Sequence, residues 1–400
     1  MFKKIFITSI LFLFVFSKSV SAEETFVFTA NGDFGNDTSS NSAFTKFLKA
    51  IKADNSVFHL ALGDLSYVQN AEQSWANYIH SILGVNYPFE IVAGNHDVGE
   101  NCCGDINKYI QYLPNKIASM PTNADYGKQY YFDYPTTNPL IRVIMISPAH
   151  FGWTYNKGTP QYNFTKNTII DARAKNIPWV VVGLHKNCIE MGVKSCEIGA
   201  DITNLLLGYG LGPNNTEGVG VDLILMGHNH LYNRSKQLNL LNFGCDLLVP
   251  NTYNSNCVSN SNSPFVKGKG SIFVINGAGG VSLYNVNTSD SEAPYFASWS
   301  GKNINPSYGY SKITISQNKL DVSFVPVTGT FTDSFSIIGG STLYDLNNDL
   351  VFNMSDILIL VSKIFNNSTV ILNPNSVIDT NSDGVINLND LINFVVYLFK

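Results

Sequence analysis

Charge is scarce in this chain of 400 residues. Asp, Glu, Lys and Arg make up 14% of it, against about 25% in an ordinary globular protein. No dense Lys/Arg run occurs, and the net charge is −5. The electrostatic footprint of a nucleic-acid-binding protein is therefore missing. Long apolar runs are missing too, except at the start. No later segment approaches the roughly 20 residues that span a bilayer, so no membrane span is expected there. Cysteine is sparse, and no C-x-x-C spacing occurs among Cys102, Cys103, Cys188, Cys196, Cys245 and Cys257. That weighs against a thiolate zinc site. Hydrophobic content of 44% is enough for a sizeable core, and the length allows two or three domains.

The start reads as an export signal. Lys3 and Lys4 form a basic beginning, Ile5 to Phe16 an apolar stretch, and Val20-Ser21-Ala22 a small-residue cleavage point. Residues 1–22 are thus expected to be removed and the protein to be secreted. Export permits disulfides. Cys188 with Cys196 and Cys245 with Cys257 would each close a short loop, although spacing alone fixes no connectivity. Cys102 and Cys103 are neighbours, and a bond between neighbours is strained. N-x-S/T triplets occur at several places, Asn36, Asn163, Asn214, Asn233 and Asn287 among them, as is common by accident in an asparagine-rich chain.

From Thr25 to about Met226, apolar runs alternate with helical periodicity. Phe26 to Phe28 reads as a strand. Phe44, Phe47, Leu48 and Ile51 then recur at i, i+3, i+4 and i+7, one face of a helix. Further strands are expected at Val57–Leu62, Phe89–Ala93, Ile141–Ile146, Trp179–Leu184 and Val221–Met226. Apart from His59, Glu90, Arg142 and Asp222 they are apolar rather than alternating, as strands covered on both faces are. The alternation predicts an α/β core. Later, Ile272–Ile275 and a hairpin about Gln317-Asn318 read as strands, the latter with period-two alternation. Composition shifts after residue 330. The expected organisation is a main domain over 23–330, a linker over 331–340 and a small domain over 341–400.

Polar residues that can bind metal follow all but one of the strands expected between Thr25 and Met226, Ile141–Ile146 being the exception. The ends read Gly32-Asp33-Phe34-Gly35, Gly63-Asp64-Leu65-Ser66-Tyr67, Gly94-Asn95-His96-Asp97, Val182-Gly183-Leu184-His185 and Gly227-His228-Asn229-His230. Ligands of open α/β sheets gather at the carboxyl ends of strands, so these groups are expected to converge. Glycine precedes Asp33, Asp64, Asn95 and His228, where it permits a sharp turn and a close approach. Carboxylate, imidazole, amide and phenolate suit iron, manganese or zinc. His59 and His80 stand alone and are given no role.

This ordered set, GD-x-G, GD-x-x-Y, GNHD, V-x-x-H and GH-x-H, resembles the calcineurin-like metallophosphoesterases, and within them the purple acid phosphatase branch. The resemblance covers roughly residues 25 to 327. Gly35 stands where most of the broader superfamily has His, and Tyr67 supplies the tyrosine of the purple branch. The implied fold is two β-sheets packed together and flanked by helices. The resemblance implies that Asp33, Tyr67 and His230 bind one metal, Fe(III), and that Asn95, His185 and His228 bind a second, iron, zinc or manganese. Asp64 would bridge them, and His96 would contact the phosphate or protonate the leaving alcohol. Two cations roughly 3.5–4 Å apart activate a water and clamp both oxygens of an in-line displacement. The substrate implied is a phosphate ester. One departure stands out: the branch carries a further His between its last two motifs, and no His lies between His185 and His228. Lys186 and His150 are the candidates to replace it.

The end of the chain holds a repeat. Asp345, Asn347, Asp349, Asn353 and Asp356 are matched by Asp379, Asn381, Asp383, Asn387 and Asp390. Oxygen side chains at loop positions 1, 3, 5, 9 and 12 can wrap a calcium ion. Each copy leads into an apolar helix, Ile357–Phe365 and Leu391–Phe399, whose faces should pack on each other. Leu350 occupies the place where Gly makes the sharp turn, so the first copy is the weaker. The pattern resembles a dockerin, which implies a cohesin-bearing scaffold as partner, met through Met354, Ser355, Leu388 and Asn389. The leading expectation is a secreted phosphomonoesterase tethered by its tail. A phosphodiesterase or nucleotidase, and an inactive scaffold component, remain as alternatives.

Overall fold

Phe26, Phe28 and Ala30 alternate along the first strand and enter the interior, because successive side chains of a strand face opposite ways. The computed structural model describes residues 25–99, 103–122, 124–212, 214, 216, 218–339, 346, 354–366 and 387–398. The expected export signal lies outside them.

The chain begins β1 (Phe26–Asn31), α1 (Ala43–Ala53), β2 (His59–Ala61), α2 (Glu72–Leu83) and β3 (Phe89–Ile91). These strands pair in parallel. After α3 (Ile106–Tyr112) come β4 (Gln129–Tyr134), β5 (Ile141–Ile146), α4 (Pro160–Ala174), β6 (Trp179–Leu184), α5 (Ala200–Leu207), β7 (Leu223–Met226) and β8 (Tyr232–Ser235). A small ribbon joins β9 (Gln237–Leu238) to β10 (Val258–Asn260). Then follow β11 (Phe265–Val266), β12 (Ile272–Asn276), β13 (Phe296–Ser300), β14 (Tyr308–Ile315), β15 (Lys319–Thr328) and β16 (Asp333–Ile338).

Two seven-stranded sheets result, ordered β11-β16-β15-β14-β1-β2-β3 and β13-β8-β12-β7-β6-β5-β4. Phe28, Leu60, Val143, Val181, Leu225 and Ile313 share one core between the sheets. The outer faces are covered as well. Val180, Val182 and Leu184 of β6 meet Ile169 of α4 and Ile202 and Leu205 of α5. Ala61 and Ile91 meet Phe47 and Leu48 of α1 and Trp75 of α2. Each such side chain contributes about 1.5–3 kcal/mol relative to exposure, and coverage on both faces explains why apolar residues dominate these strands without alternating. The expected packed pair of sheets with flanking helices is what the chain forms. The hairpin about Gln317-Asn318 is β14–β15, with Ile315 opposite Leu320.

The expected linker needs correction. Residues 333–338 are strand β16, paired along β15 with Phe335 opposite Val322. Phe335 and Ile337 are buried. The Ser-Phe-Ser-Ile alternation is a half-buried strand signal hidden in a Gly/Thr/Ser-rich stretch, so the main fold runs through Ile338.

The tail is seen in part. Helices α6 (Met354–Asn366) and α7 (Leu388–Leu398) begin a few residues earlier than expected. Leu346, Ile357 and Leu360 form a small core against which Leu391 and Val395 pack, as the repeat implied. Asp345, Asn347, Asp349, Asn353, Asp379, Asn381 and Asp383 lie outside the described residues. Asp356, Asn387 and Asp390 are seen. Asp356 accepts the Leu346 N–H at 2.7 Å and Asp390 accepts the Asn387 N–H at 2.8 Å.

Candidate metal centre

Backbone strain marks the strand ends. Asp33, Asp64, Tyr67 and His228 have φ of 63, 52, 57 and 69°, a region that costs a non-glycine residue roughly 1–2 kcal/mol. The glycine expectation is thus half right. Among Gly32, Gly63, Gly94 and Gly227 only Gly63 has positive φ, and the turn falls mostly on the candidate ligand residues themselves. The glycines provide room instead: a Cβ on Gly94 would lie 2.2 Å from Asp64 Oδ1.

Asp97 ties these loops together. Its carboxylate accepts the N–H groups of Asp64 at 2.7 Å, Gly94 at 2.8 Å and Leu65 at 3.0 Å. It belonged to the Gly94–Asp97 motif but had no role from sequence.

The expected residues converge in two groups that share Asp64. In the first, Tyr67 Oη lies 2.9 Å from Asp33 Oδ1, 2.9 Å from Asp64 Oδ2 and 3.0 Å from His230 Nε2. His230 Nε2 is 3.2 Å from Asp33 Oδ1. In the second, His185 Nε2 lies 3.2 Å from Asp64 Oδ1 and 3.1 Å from Asn95 Oδ1. Asp64, His185 and His228 present ligand atoms within 4.8 Å of one another. Asp33, Asp64 and His185 are fully or almost fully buried.

The imidazoles are aimed from behind. His185 Nδ1 donates to the Leu62 carbonyl at 2.8 Å, and His230 Nδ1 to the Ser282 carbonyl at 3.0 Å. A hydrogen bond at one ring nitrogen leaves the other to accept a proton or a metal. His230 also stacks on Tyr284, with ring centroids 4.0 Å apart. Behind the last motif, buried Glu190 accepts from the side chain of Asn229 and the N–H of Gly192.

The donor set fits a cation. One phenolic proton cannot satisfy two carboxylates and an imidazole lone pair at once. Burial, then Asp33 and Asp64, push the Tyr67 phenol well above its ordinary value. Burial opposes a charge on His185, yet Asp64 beside it holds the imidazole up at about 9. His230 is raised against burial by Asp33 in the same way. Protons thus occupy the positions that positive charge would take.

His96 lies at the rim. Its N–H donates to Asp64 Oδ1 at 2.8 Å, its Nε2 is 3.9 Å from Asp64 Oδ2, and its ring is 4.4 Å from that of Tyr67. Its Nδ1 meets Cys103 Sγ at 3.3 Å.

The two candidates for the missing histidine fare differently from expectation. Lys186 is neither free nor exposed: its Nζ pairs with Glu197 Oε2 at 2.7 Å. His150 follows β5, the strand thought to lack a polar end. Its ring is 6.2 Å from that of His185, and both ring nitrogens are buried without a hydrogen-bond partner. Burial, then the charges of His185 and Lys186, push it down to about 3, so it adds no positive charge. His59 is buried among Phe47 and Phe89, with Thr29 on one nitrogen.

Glu197 was missed altogether. Its Oε1 lies 2.8 Å from His228 Nε2. It follows Cys196, whose disulfide with Cys188 is formed as expected, as is Cys245–Cys257. Cys103 is disulfide-bonded too. Asn233 is buried and bonded to Met191 N–H, which removes it as a glycosylation site.

Comparison with known proteins agrees with this geometry. The family model for calcineurin-like phosphoesterases matches residues 23–232. That for the iron/zinc purple acid phosphatase-like protein C matches residues 270–334. Probable purple acid phosphatase 20 of Arabidopsis thaliana is 26% identical over 216 residues, 52% of this chain and 46% of that protein. Purple acid phosphatase 18 of the same plant is 22% identical over 231 residues, 56% of this chain and 47% of that protein. The chain spans about half the length of these curated relatives. The solved purple acid phosphatase PPD1 from yellow lupin (Lupinus luteus) seeds superposes with a TM-score of 0.56 at 18% identity. It covers 79% of this chain and 54% of its own, a likeness of fold alone. With the first family model matching more than half of its residues, the chain belongs to the calcineurin-like phosphoesterase family, and a purple acid phosphatase-like C-terminal portion follows.

Proposed function

We propose that this chain hydrolyses phosphate esters with two metal ions. The convergence of Asp33, Asp64, Tyr67, Asn95, His185, His228 and His230 from separate strand ends carries the reading. Asp33, Tyr67 and His230 would hold one ion, Fe(III). Asn95, His185 and His228 would hold the other, iron, zinc or manganese, with Asp64 between them. When bound, two such ions activate water and neutralise phosphoryl charge. The chain's own residues do the rest. The Leu62 and Ser282 carbonyls keep two imidazoles in the binding tautomer. Asp97 sets the spacing of the Asp64 and Asn95 loops. His96 faces the rim with 32% of its side chain exposed. There it can hold a phosphoryl oxygen or give a proton to the leaving alcohol at Nε2, help of roughly 10²–10⁴-fold.

The test is release of phosphate from an aryl phosphate by the metal-loaded full chain, beside an aryl diester. Turnover of the monoester is expected. Failure to cleave either ester would sink the proposal and leave the inactive-scaffold alternative. One observation favours the diesterase or nucleotidase alternative: Lys186 is spent on Glu197, which leaves one cation fewer for a dianionic monoester. A strong preference for the diester would establish it.

We read the tail as a calcium-binding, dockerin-like module that meets a cohesin-bearing scaffold outside the cell. Met354 and Leu358 on α6 are exposed, and so are Leu388 and Ile392 at the same places of the second copy. Matched apolar residues at i and i+4 on two packed helices suit a protein partner. Calcium-dependent capture on an immobilised cohesin is expected, and capture that persists in chelator would refute it.

A further inference from the structure

The segment between β6 and α5 contains no helix or strand. A covalent bond organises it instead: Cys188 and Cys196 close the loop. Just outside that bond stand Lys186 and Glu197, which pair across its base at 2.7 Å. The other oxygen of Glu197 reaches His228 Nε2 at 2.8 Å. Glu197 is therefore delivered to His228 by the disulfide and the Lys186 pair, not by a strand end.

The contact decides what His228 can do. A carboxylate accepting from Nε2–H leaves Nδ1 as the lone-pair nitrogen. His228 belongs to the buried group with Asp64 and His185. Lys186 directly follows His185, whose own ring is held by the Leu62 carbonyl at 2.8 Å, so within this group Glu197 acts on His228. The other group has different braces: His230 is fixed by the Ser282 carbonyl and the Tyr284 ring. Among the described residues, no hydrogen bond to Asp33, Tyr67 or His230 comes from the disulfide-closed loop.

We propose that Glu197 is the positioning residue of the second metal position, and that the Cys188–Cys196 disulfide tightens that position by holding Glu197 on His228. The inference rests on the two-metal reading above. Outer-shell partners of ligating histidines typically govern metal affinity by about 10–100-fold. About a third of the Glu197 side chain is already exposed, so an opened loop lets the carboxylate leave for solvent. His228 then loses its fixed tautomer, while the Tyr67 group keeps its own supports.

The experiment compares wild type, Glu197→Gln, Glu197→Ala and the Cys188→Ser/Cys196→Ser pair as full-length, metal-stripped chains. Zinc is titrated by equilibrium dialysis after Fe(III) has filled the first position, whose tyrosinate band is followed in the visible. Glu197→Ala and the serine pair should each weaken zinc by about 10–100-fold with the band unchanged. Glu197→Gln keeps an acceptor oxygen and should recover part of the loss. Adding Glu197→Ala to the serine pair should cost little more, since both act through one contact. Zinc affinity unchanged in Glu197→Ala would overturn the proposal, as would fully additive losses. Glu197→Ala leaves the disulfide intact and decides the matter alone if the serine pair does not fold. A wild-type chain that takes up only one ion is a different result, and it would overturn the two-metal reading with this inference.

Discussion

Replacing Asp97 by Asn tests whether one carboxylate holds the centre's loops in place. Two of its three N–H partners, those of Asp64 and Gly94, converge on Oδ2, and that of Leu65 meets Oδ1. An asparagine oxygen can keep the first pair. Its amide nitrogen then faces the Leu65 N–H, donor against donor, in a fully buried place. An orphaned buried donor costs about 1–3 kcal/mol, and each kept bond loses charge assistance of roughly 0.5–1 kcal/mol. One effect opposes this. Burial and the nearby Asp64 charge push Asp97 up to about 7, so a neutral residue relieves some repulsion. The lost acceptor should win, because the raised pKa compares two forms of Asp97 that both keep two oxygens, whereas the amide keeps one and leaves the Leu65 N–H unpaired. The expected net loss is about 2 kcal/mol at pH 7.5. Urea unfolding of the metal-free chain, followed by tryptophan fluorescence, reads it as a lower midpoint at constant slope. A variant as stable as wild type would refute the reasoning, because repulsion would then outweigh the hydrogen bonds.

Two further outcomes are expected. In Tyr67→Phe loaded with Fe(III), the visible tyrosinate band should vanish, and a retained band would place another phenol on the iron. Burial, with partial relief from the Gly192 N–H and Asn229, pushes Glu190 up to about 7 from an ordinary 4.5. The folded chain therefore keeps a proton that the unfolded chain loses from about pH 4.5 upward. Stability should fall as pH rises through 4.5 to 7, by up to about 3 kcal/mol from this group. Glu190→Gln retains the shared acceptor oxygen and should flatten that slope. An unchanged slope between pH 4.5 and 7 would assign the effect to other carboxyls.

Much of the centre was legible because its residues sit where apolar runs stop. Val181 and Leu184 announce a buried strand, and the polar residue that follows must lie at its end. Parallel order then brings such ends together. The supporting groups carry no such signal. Glu197 stands in an irregular loop and is held on His228 by a covalent closure eight residues long and by its pair with Lys186. His150 lies beyond Ser147-Pro148-Ala149, far enough from the end of β5 to escape a search of strand tips. Strand β8 was unreadable for another reason. Its Asn233, Arg234 and Ser235 are buried, satisfied by Met191 N–H, Asp333 and Phe273 N–H. Hydrophobic periodicity cannot find a strand whose inward residues are polar.

The same division explains how the centre is stabilised. Its proposed ligand residues are poor structural elements in themselves. Four of them adopt left-handed backbone at a cost of roughly 1–2 kcal/mol each, and two buried carboxylates surround a phenol that cannot satisfy both. Local preference would undo such an arrangement. What over-determines it lies one layer out, in groups that satisfy several donors each: Asp97 for the Asp64 and Asn95 loops, Glu190 for the Asn229 turn, Glu197 for His228. Behind these stand sheets covered on both faces, which make the strand ends rigid points of attachment. A change in a proposed ligand therefore removes one contact with a metal, whereas a change in Asp97 moves the Asp64 and Asn95 loops together, and one in Glu197 frees the ring of His228. Metal affinity should accordingly be as sensitive to Asp97 and Glu197, to which the strand pattern gives no role, as to the proposed ligands themselves.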